Sequence, residues 1–365
     1  MKNQEDSIFL QKARDLIKSA KRAPLSLEDR CDQAIELACL ILQESNRTLT
    51  KEERKVQYEL SKMMRDPIGK VFTTAMTDQC FRSNNYLRVA DQLTYLLELF
   101  GIPKFLSPFK RLKLYIFKLF GFKFAKVFVP LTTYFLRKET ASVIIPGEKA
   151  SLKKHIKQRK QEGVRLNLNH LGEAILGEEE AEKRLAIYLK DLESKYIDYV
   201  SIKISTIYSQ INLLSWDNTI ENIAKRLRLL YRAAMQTTTT LADGTVSFKF
   251  VNLDMEEYRD LHLTKELFMK VLDEDEFHEL SAGIVLQAYL PDSYDILKEL
   301  TEWAIKRVQN GGAPIKVRIV KGANMTMEQF EASIKGWPQA PYPTKIETDA
   351  NYKRLILYAC DPNHA

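Results

Sequence analysis

From Pro146 onward, short apolar or alternating runs take turns with longer amphipathic ones. This alternation constrains the fold more than any other feature of the chain. VRLNLN (164–169), YVSIKIS (199–205), SFKFVNLD (247–254), GIVLQAYL (283–290) and IKVRIV (315–320) read as strands. EEEAEKRLAIYLKDLESK, NTIENIAKRLRLLYRAAM, EYRDLHLTKELFMKVL and SYDILKELTEWAIKRV lie between them and repeat their apolar residues at helical spacing. The strand starts lie about 32 to 48 residues apart, without a short repeat. That spacing suits right-handed βα units in a parallel sheet.

Most of these strands end on polar residues: Asn169 and Glu173, Lys203, Asp254 and Glu256, Gln287, then Arg318 and Lys321. In a β/α barrel all such ends open on one face, where these folds keep their chemistry. The run KVRIVKGAN (316–324) carries Lys316, Arg318 and Lys321 among buried-type residues. A buried cation is costly unless paired, so these residues point at a ligand or at carboxylates of neighbouring strands.

The first 140 residues read as a helical domain, ahead of the β/α part at 141–365. Ser26 is placed to cap a helix with Asp29 three residues on, and its apolar positions include Ile35, Leu37, Ile41 and Leu42. YLRVADQLTYLLELFG is a second helix, closed by Gly101. The +7 charge is uneven: residues 104–160 hold 15 Lys/Arg against Glu139 and Glu148, and the rest is net −6. Lysines interrupt the aromatic segment 104–138 too often for the roughly 20 apolar residues of a membrane span. It reads as an amphipathic membrane-contact surface or as helices wrapping the barrel. Nucleic-acid binding is disfavoured, since no recognition motif accompanies the charge. Cys31, Cys39, Cys80 and Cys360 show no CxxC spacing, which argues against zinc or a disulfide framework. The opening residues have no apolar secretory core, so a cytoplasmic setting is expected.

NLNHLGEAILGEEEAEKRL, SIKIS, VNLDMEEYRD, VLQAYLPDS and VRIVKGANMTMEQFEASIKGWP with PTKIETDANYKRL occur in the order found in proline dehydrogenase. The chain most resembles the proline dehydrogenase portion of bifunctional proline-utilisation flavoenzymes, over about residues 70–360 and including MTDQCFRS (76–83). The resemblance implies a (β/α)8 TIM-like barrel, FAD as cofactor, and oxidation of L-proline to pyrroline-5-carboxylate. It also implies a quinone or membrane electron acceptor, with peripheral association at the inner face. On this resemblance Lys203 sits by the substrate carboxylate and Asp254 anchors a polar network beside it. Gln287 meets the flavin pyrimidine end and Arg318 lies near flavin N5. Val320, Gly322 and Ala323 line the flavin, and Lys345 and Thr348 hold the adenine-nucleotide side. Asn324 stands where many family members carry an aromatic residue.

Only about five strand–helix units are visible, so the sequence is expected to be the front of a longer enzyme and weakly active alone. Two readings compete with the flavoenzyme. One is a Schiff-base aldolase using Lys203 or Lys321 as nucleophile; the other is an inactive barrel fragment serving as a scaffold.

Overall fold

The computed structural model describes residues 8–20, 26–140, 149–170, 175–240 and 244–364. Glu173 and the first seven residues lie outside them. The chain divides into two compact units, Met1–Ile145 and Pro146–Ala365.

Helices at Ile8–Ala20, Leu27–Thr48, Lys51–Met64, Pro67–Ala75, Tyr86–Leu99, Pro108–Phe120 and Ala125–Thr140 make up the first unit. Their starts follow from local chemistry. Ser26 Oγ accepts from the Asp29 amide at 3.1 Å, and Thr50 and Glu53 form a reciprocal capping box; each such cap contributes about 1 kcal/mol. Asp66 caps Pro67–Ala75 through the Gly69 amide and also accepts from the amides of Lys104 and Phe105 at 2.7 and 3.1 Å. These bonds, Gly69's foremost, hold its carboxyl below the usual range. Gly101, at φ 73°, follows the end of Tyr86–Leu99. Phe72, Leu93, Leu97 and Phe117 centre the core, joined by Met76 and Cys80 from a wide turn at 76–80. Leu27–Thr48 departs from its expected buried stripe: Ile35, Ile41 and Leu42 are exposed, and Leu40 is buried. No described helix is long and apolar enough to cross a membrane.

In the second unit the strands are β1 (Leu168–Asn169), β2 (Tyr199–Ile202), β3 (Thr238–Thr240), β4 (Val246–Phe248), β5 (Phe250–Leu253), β6 (Gly283–Gln287) and β7 (Lys316–Val320). Five form one parallel sheet in the order β1-β2-β5-β6-β7, and β3 pairs with β4 in an antiparallel hairpin. Sequential parallel neighbours, each followed by a helix, are successive staves of a partial β/α barrel. Register is explicit: Asn169 stands beside Ser201, Ser201 beside Asn252, Asn252 beside Gly283, and Gly283 beside Lys316.

All five parallel strands are shorter than their expected runs. YVSIKIS stops at Ile202, with Ile204–Ile207 turning helical, GIVLQAYL stops at Gln287, and IKVRIV starts at Lys316. In 164–169 only the last two residues pair. The run 247–254 breaks at Lys249, whose buried ammonium donates to the carbonyls of Leu192 and Ser194 at 2.5 and 2.6 Å. Those carbonyls close the helix Glu178–Glu193, and burial pushes the Lys249 pKa down.

Side chains alternate across the sheet with a period of two. One set, Val200, Ile202, Val251, Leu253, Ile284 and Leu286, meets Leu227, Leu267, Phe268 and Leu297 of the covering helices. Each fully buried side chain of this size stabilises the fold by about 1.5–3 kcal/mol. The opposite set stacks mostly polar residues above the Tyr199 and Phe250 rings, and it carries the site.

Candidate active site

The inner face is built in layers. At its floor the rings of Tyr199 and Phe250 meet edge to face at 4.9 Å. Arg165 and Lys316 lie over these rings at 5.3–5.8 Å. One layer up, Ser201 Oγ accepts from Asn167 Nδ2 at 2.8 Å and from Asn252 Nδ2 at 3.4 Å. Gly283 completes that layer because a Cβ there would lie 2.5 Å from Asn252 Oδ1 and 2.8 Å from the Phe250 ring.

The next layer reaches the strand ends. Asp254, 7% exposed, receives three donors. Arg318 Nη2 and Asn252 Nδ2 each lie 2.7 Å from its Oδ1, and Asn169 Nδ2 lies 2.9 Å from Oδ2. Lys203, just after β2, pairs with Glu256 at 2.7 Å, and Ser205 Oγ donates to the other oxygen of Glu256 at 3.3 Å. Gln287 is buried at the end of β6. Its Nε2 faces the carbonyls of Met255 and Glu256 at 3.5 and 3.4 Å, while its Oε1 has no hydrogen-bond partner. Arg318 Nε is likewise buried without one.

Beyond β7, Val320 is half-buried and Gly322 and Ala323 are exposed. Gly322 has φ 99°, and a Cβ built there would fall 1.9 Å from the Tyr289 ring. The backbone therefore passes directly over that ring. Asn324 Nδ2 donates to the Glu256 carbonyl at 2.7 Å. Lys321 pairs with Asp349 at 2.6 Å, tying this loop to the helix Lys345–Ala359. Asn351 of the same helix donates to the Ala288 carbonyl at 3.0 Å. Lys345 is exposed at the first position of this helix. Thr348 is buried, its hydroxyl donating to the Thr344 carbonyl at 3.2 Å.

Lys203, Asp254 and Gln287 thus lie at the carboxyl ends of β2, β5 and β6, and Arg318 reaches Asp254 from the middle of β7. Lys345 and Thr348 lie apart, on the following helix. Sequence reasoning placed Asn169 and Glu256 among the polar strand ends but favoured Asp254 for the site, and it overlooked Asn252, Ser201 and Ser205 as network members. The signal was present: polar residues two apart, as in 167/169, 201/203 and 252/254, mark one face of a strand. His170, just after β1, bonds Asp191 and meets the Tyr188 ring at 5.3 Å. Among the described residues, no group of three or more His, Cys, Asp or Glu is arranged to hold a metal.

No curated protein sequence matches the chain significantly. Among solved structures, it is similar to proline utilization A (PutA) from Corynebacterium freiburgense, with 45% identity and a TM-score of 0.57 over 63% of this chain and 23% of that one. It is also similar to PutA from Bdellovibrio bacteriovorus inactivated by N-propargylglycine, with 25% identity and a TM-score of 0.62 over 96% of this chain and 32% of that one. The chain therefore spans about a quarter to a third of these proteins. Residues 152–364, which contain every strand described above, match the proline dehydrogenase family model, and the chain belongs to that family.

Proposed function

We propose that the chain carries the proline dehydrogenase site of a proline-utilisation flavoenzyme and acts in FAD-dependent oxidation of L-proline to 1-pyrroline-5-carboxylate. The observation that carries this reading is the Lys203, Asp254, Gln287 and Arg318 constellation at one end of a parallel sheet. When bound, FAD would accept the two electrons that leave C5 of proline as hydride.

The residues present fit that cofactor. Gln287 Oε1 and Arg318 Nε are buried polar atoms that still need partners, and an amide-bearing ring edge supplies them. Gly322 and Ala323 are exposed and carry little or no side chain, which would let a flat ring approach the backbone after β7. Arg318, held by Asp254, would offer a fixed positive charge beside a ring that becomes electron-rich. Lys203 would take the substrate carboxylate. Lys345 and Thr348, at the start of the adjoining helix, would face the nucleotide end.

The aldolase reading is weaker, because Lys203 and Lys321 are both held in ion pairs with carboxylates. A Schiff-base lysine needs an apolar or otherwise cationic setting to free its amine.

A second reading concerns the electron acceptor. In Pro108–Phe120 and Ala125–Thr140, Phe109, Tyr115, Phe120, Val127 and Tyr134 are exposed among lysines, and Lys113 lies over the Phe135 ring at 3.5 Å. An exposed apolar, basic surface suits contact with an anionic bilayer, where a quinone could take the electrons. The placement would be cytoplasmic, at the inner membrane face.

The decisive experiment adds FAD to the purified protein, then measures flavin stoichiometry and bleaching by L-proline under anaerobic conditions. Bound flavin that bleaches with proline is the expected result. A protein that forms a borohydride-trappable adduct with a carbonyl substrate, and ignores proline, would overturn it.

A further inference from the structure

The two strand-end carboxylates differ in what occupies them. Asp254 is saturated by Arg318, Asn252 and Asn169. Glu256 is held differently. Its backbone carbonyl is fixed by Asn324 at 2.7 Å and faced by Gln287 at 3.4 Å, so β6 and the loop after β7 position the residue. Its side chain meets one cation and one hydroxyl, Lys203 and Ser205, both just after β2. The side chains of Lys203 and Glu256 are each 23% exposed, shielded from most water yet reachable.

Resting on the proposed oxidation of a cyclic amino acid, we infer that the Lys203–Glu256 pair is a split receptor for a zwitterion. Lys203 takes the carboxylate and Glu256 takes the secondary ammonium of the same molecule. The physical reason is charge balance. A bare carboxylate that captured Lys203 would strip Glu256 of its partner and leave a largely buried anion uncompensated. A bare ammonium on Glu256 would strand Lys203 in the same way. A molecule carrying both charges replaces the resting pair with two new ones. Selectivity then comes from penalising the wrong ligands as much as from attracting the right one. Glu256 is thereby a specificity residue, a role the acidic run after β5 does not advertise. Recognition alone is proposed; no bond is made or broken.

The test uses lysine side-chain NMR on the full 365-residue chain, with the Lys203 signal assigned from a Lys203→Arg variant. Three probes are titrated at constant ionic strength: L-proline, cyclopentanecarboxylate and pyrrolidinium chloride. Proline should move the Lys203 signal with an apparent affinity at least about tenfold tighter than either single-charge probe. Glu256→Gln should tighten cyclopentanecarboxylate and shrink that gap to about threefold or less, whereas Ser205→Ala should leave the gap standing. The wild-type comparison needs no variant, so it survives a misfolded mutant. Equal affinity for proline and cyclopentanecarboxylate, or a gap unchanged in Glu256→Gln, overturns the inference. Flavin bleaching by proline alongside equal affinities would sink the split receptor and spare the oxidation. A preserved proline preference in a protein that never reduces flavin would do the opposite.

Discussion

Arg318 Nη2 and Asp254 Oδ1 lie 2.7 Å apart across the sheet, one residue from the middle of β7 and the other just past the end of β5. The Asp254 side chain is 7% exposed and that of Arg318 38%, so the carboxylate is the member with more to lose. Asp254→Ala leaves three donors without their acceptor. It should destabilise the chain by roughly 1–3 kcal/mol, measured by urea unfolding. A loss within error of zero would mean the network is dispensable. In flavin reduction by proline, Arg318→Ala and Lys203→Ala should each lower the rate at least about tenfold, or roughly 1.4 kcal/mol. Full rates in both variants would remove them from the site.

Gly322 and Gly244 separate backbone strain from steric contact. Both have positive φ, at 99° and 86°, but only Gly322 has a neighbour in the way, the ring of Tyr289. Alanine at either position incurs left-handed strain of about 1–2 kcal/mol. Gly322→Ala should cost an additional 1–3 kcal/mol or so from overpacking. Calorimetry on the two variants checks this; equal shifts in Tm would show that the Tyr289 contact is not binding.

Asp260 links stability to pH. It is 3% exposed, its Oδ1 has no hydrogen-bond partner, and Arg259 Nε stands 3.7 Å away. Burial is the main cause of a pKa pushed up to about 7, with Glu257, Glu256 and Glu328 adding to it and Arg259 opposing. The unfolded chain releases this proton near 3.8 and the folded chain near 7, so the native state binds more protons between those values. Stability should therefore fall as pH rises from about 4 to about 7, then level off. Asp260→Asn should flatten that slope and raise stability at pH 8 by at most about 4 kcal/mol. A variant with the wild-type slope would assign the pH dependence to other groups.

The basic, aromatic segment 104–138 makes a salt-dependent prediction. Binding to anionic vesicles should weaken with salt, since the attraction is screened within about 8 Å at physiological ionic strength. Neutral substitutions at Lys113, Lys118, Lys123 and Lys126 should weaken it further. Equal sedimentation with neutral and anionic vesicles would leave those residues without a membrane role.

Among the described residues, β1 and β7 each pair on one side only. Such edges recruit strands from other chains unless charge or covering blunts them. Light scattering of the 365-residue chain should therefore show self-association that grows with concentration. A monodisperse monomer at high concentration would indicate that Lys316 and Arg318 protect the edge by themselves.

Periodicity alone determined the order of the five parallel strands and of the long helices between them, because a parallel sheet needs apolar runs of about five residues and crossovers of a fixed minimum length. It did not foresee the β3–β4 hairpin. Capping at Ser26 and the stop at Gly101 were equally local, set by residues within one turn of each other. Where the polar strand ends meet was not local. Lys203 and Glu256 are 53 positions apart, and Arg318 and Asp254 are 64 apart. Their pairing depends on strand register, which a run of alternating residues does not encode. Tertiary structure also broke 247–254 at Lys249, because carbonyls ending a distant helix captured its ammonium. It decided the roles of the acidic residues after β5 in the same way. Asp254 was saturated by donors from three strands, Glu256 was left on a single displaceable cation, and Asp260 was buried with its Oδ1 lacking a hydrogen bond. Three carboxylates that look alike in a sequence acquire different chemistry because burial and donor count are properties of the folded neighbourhood.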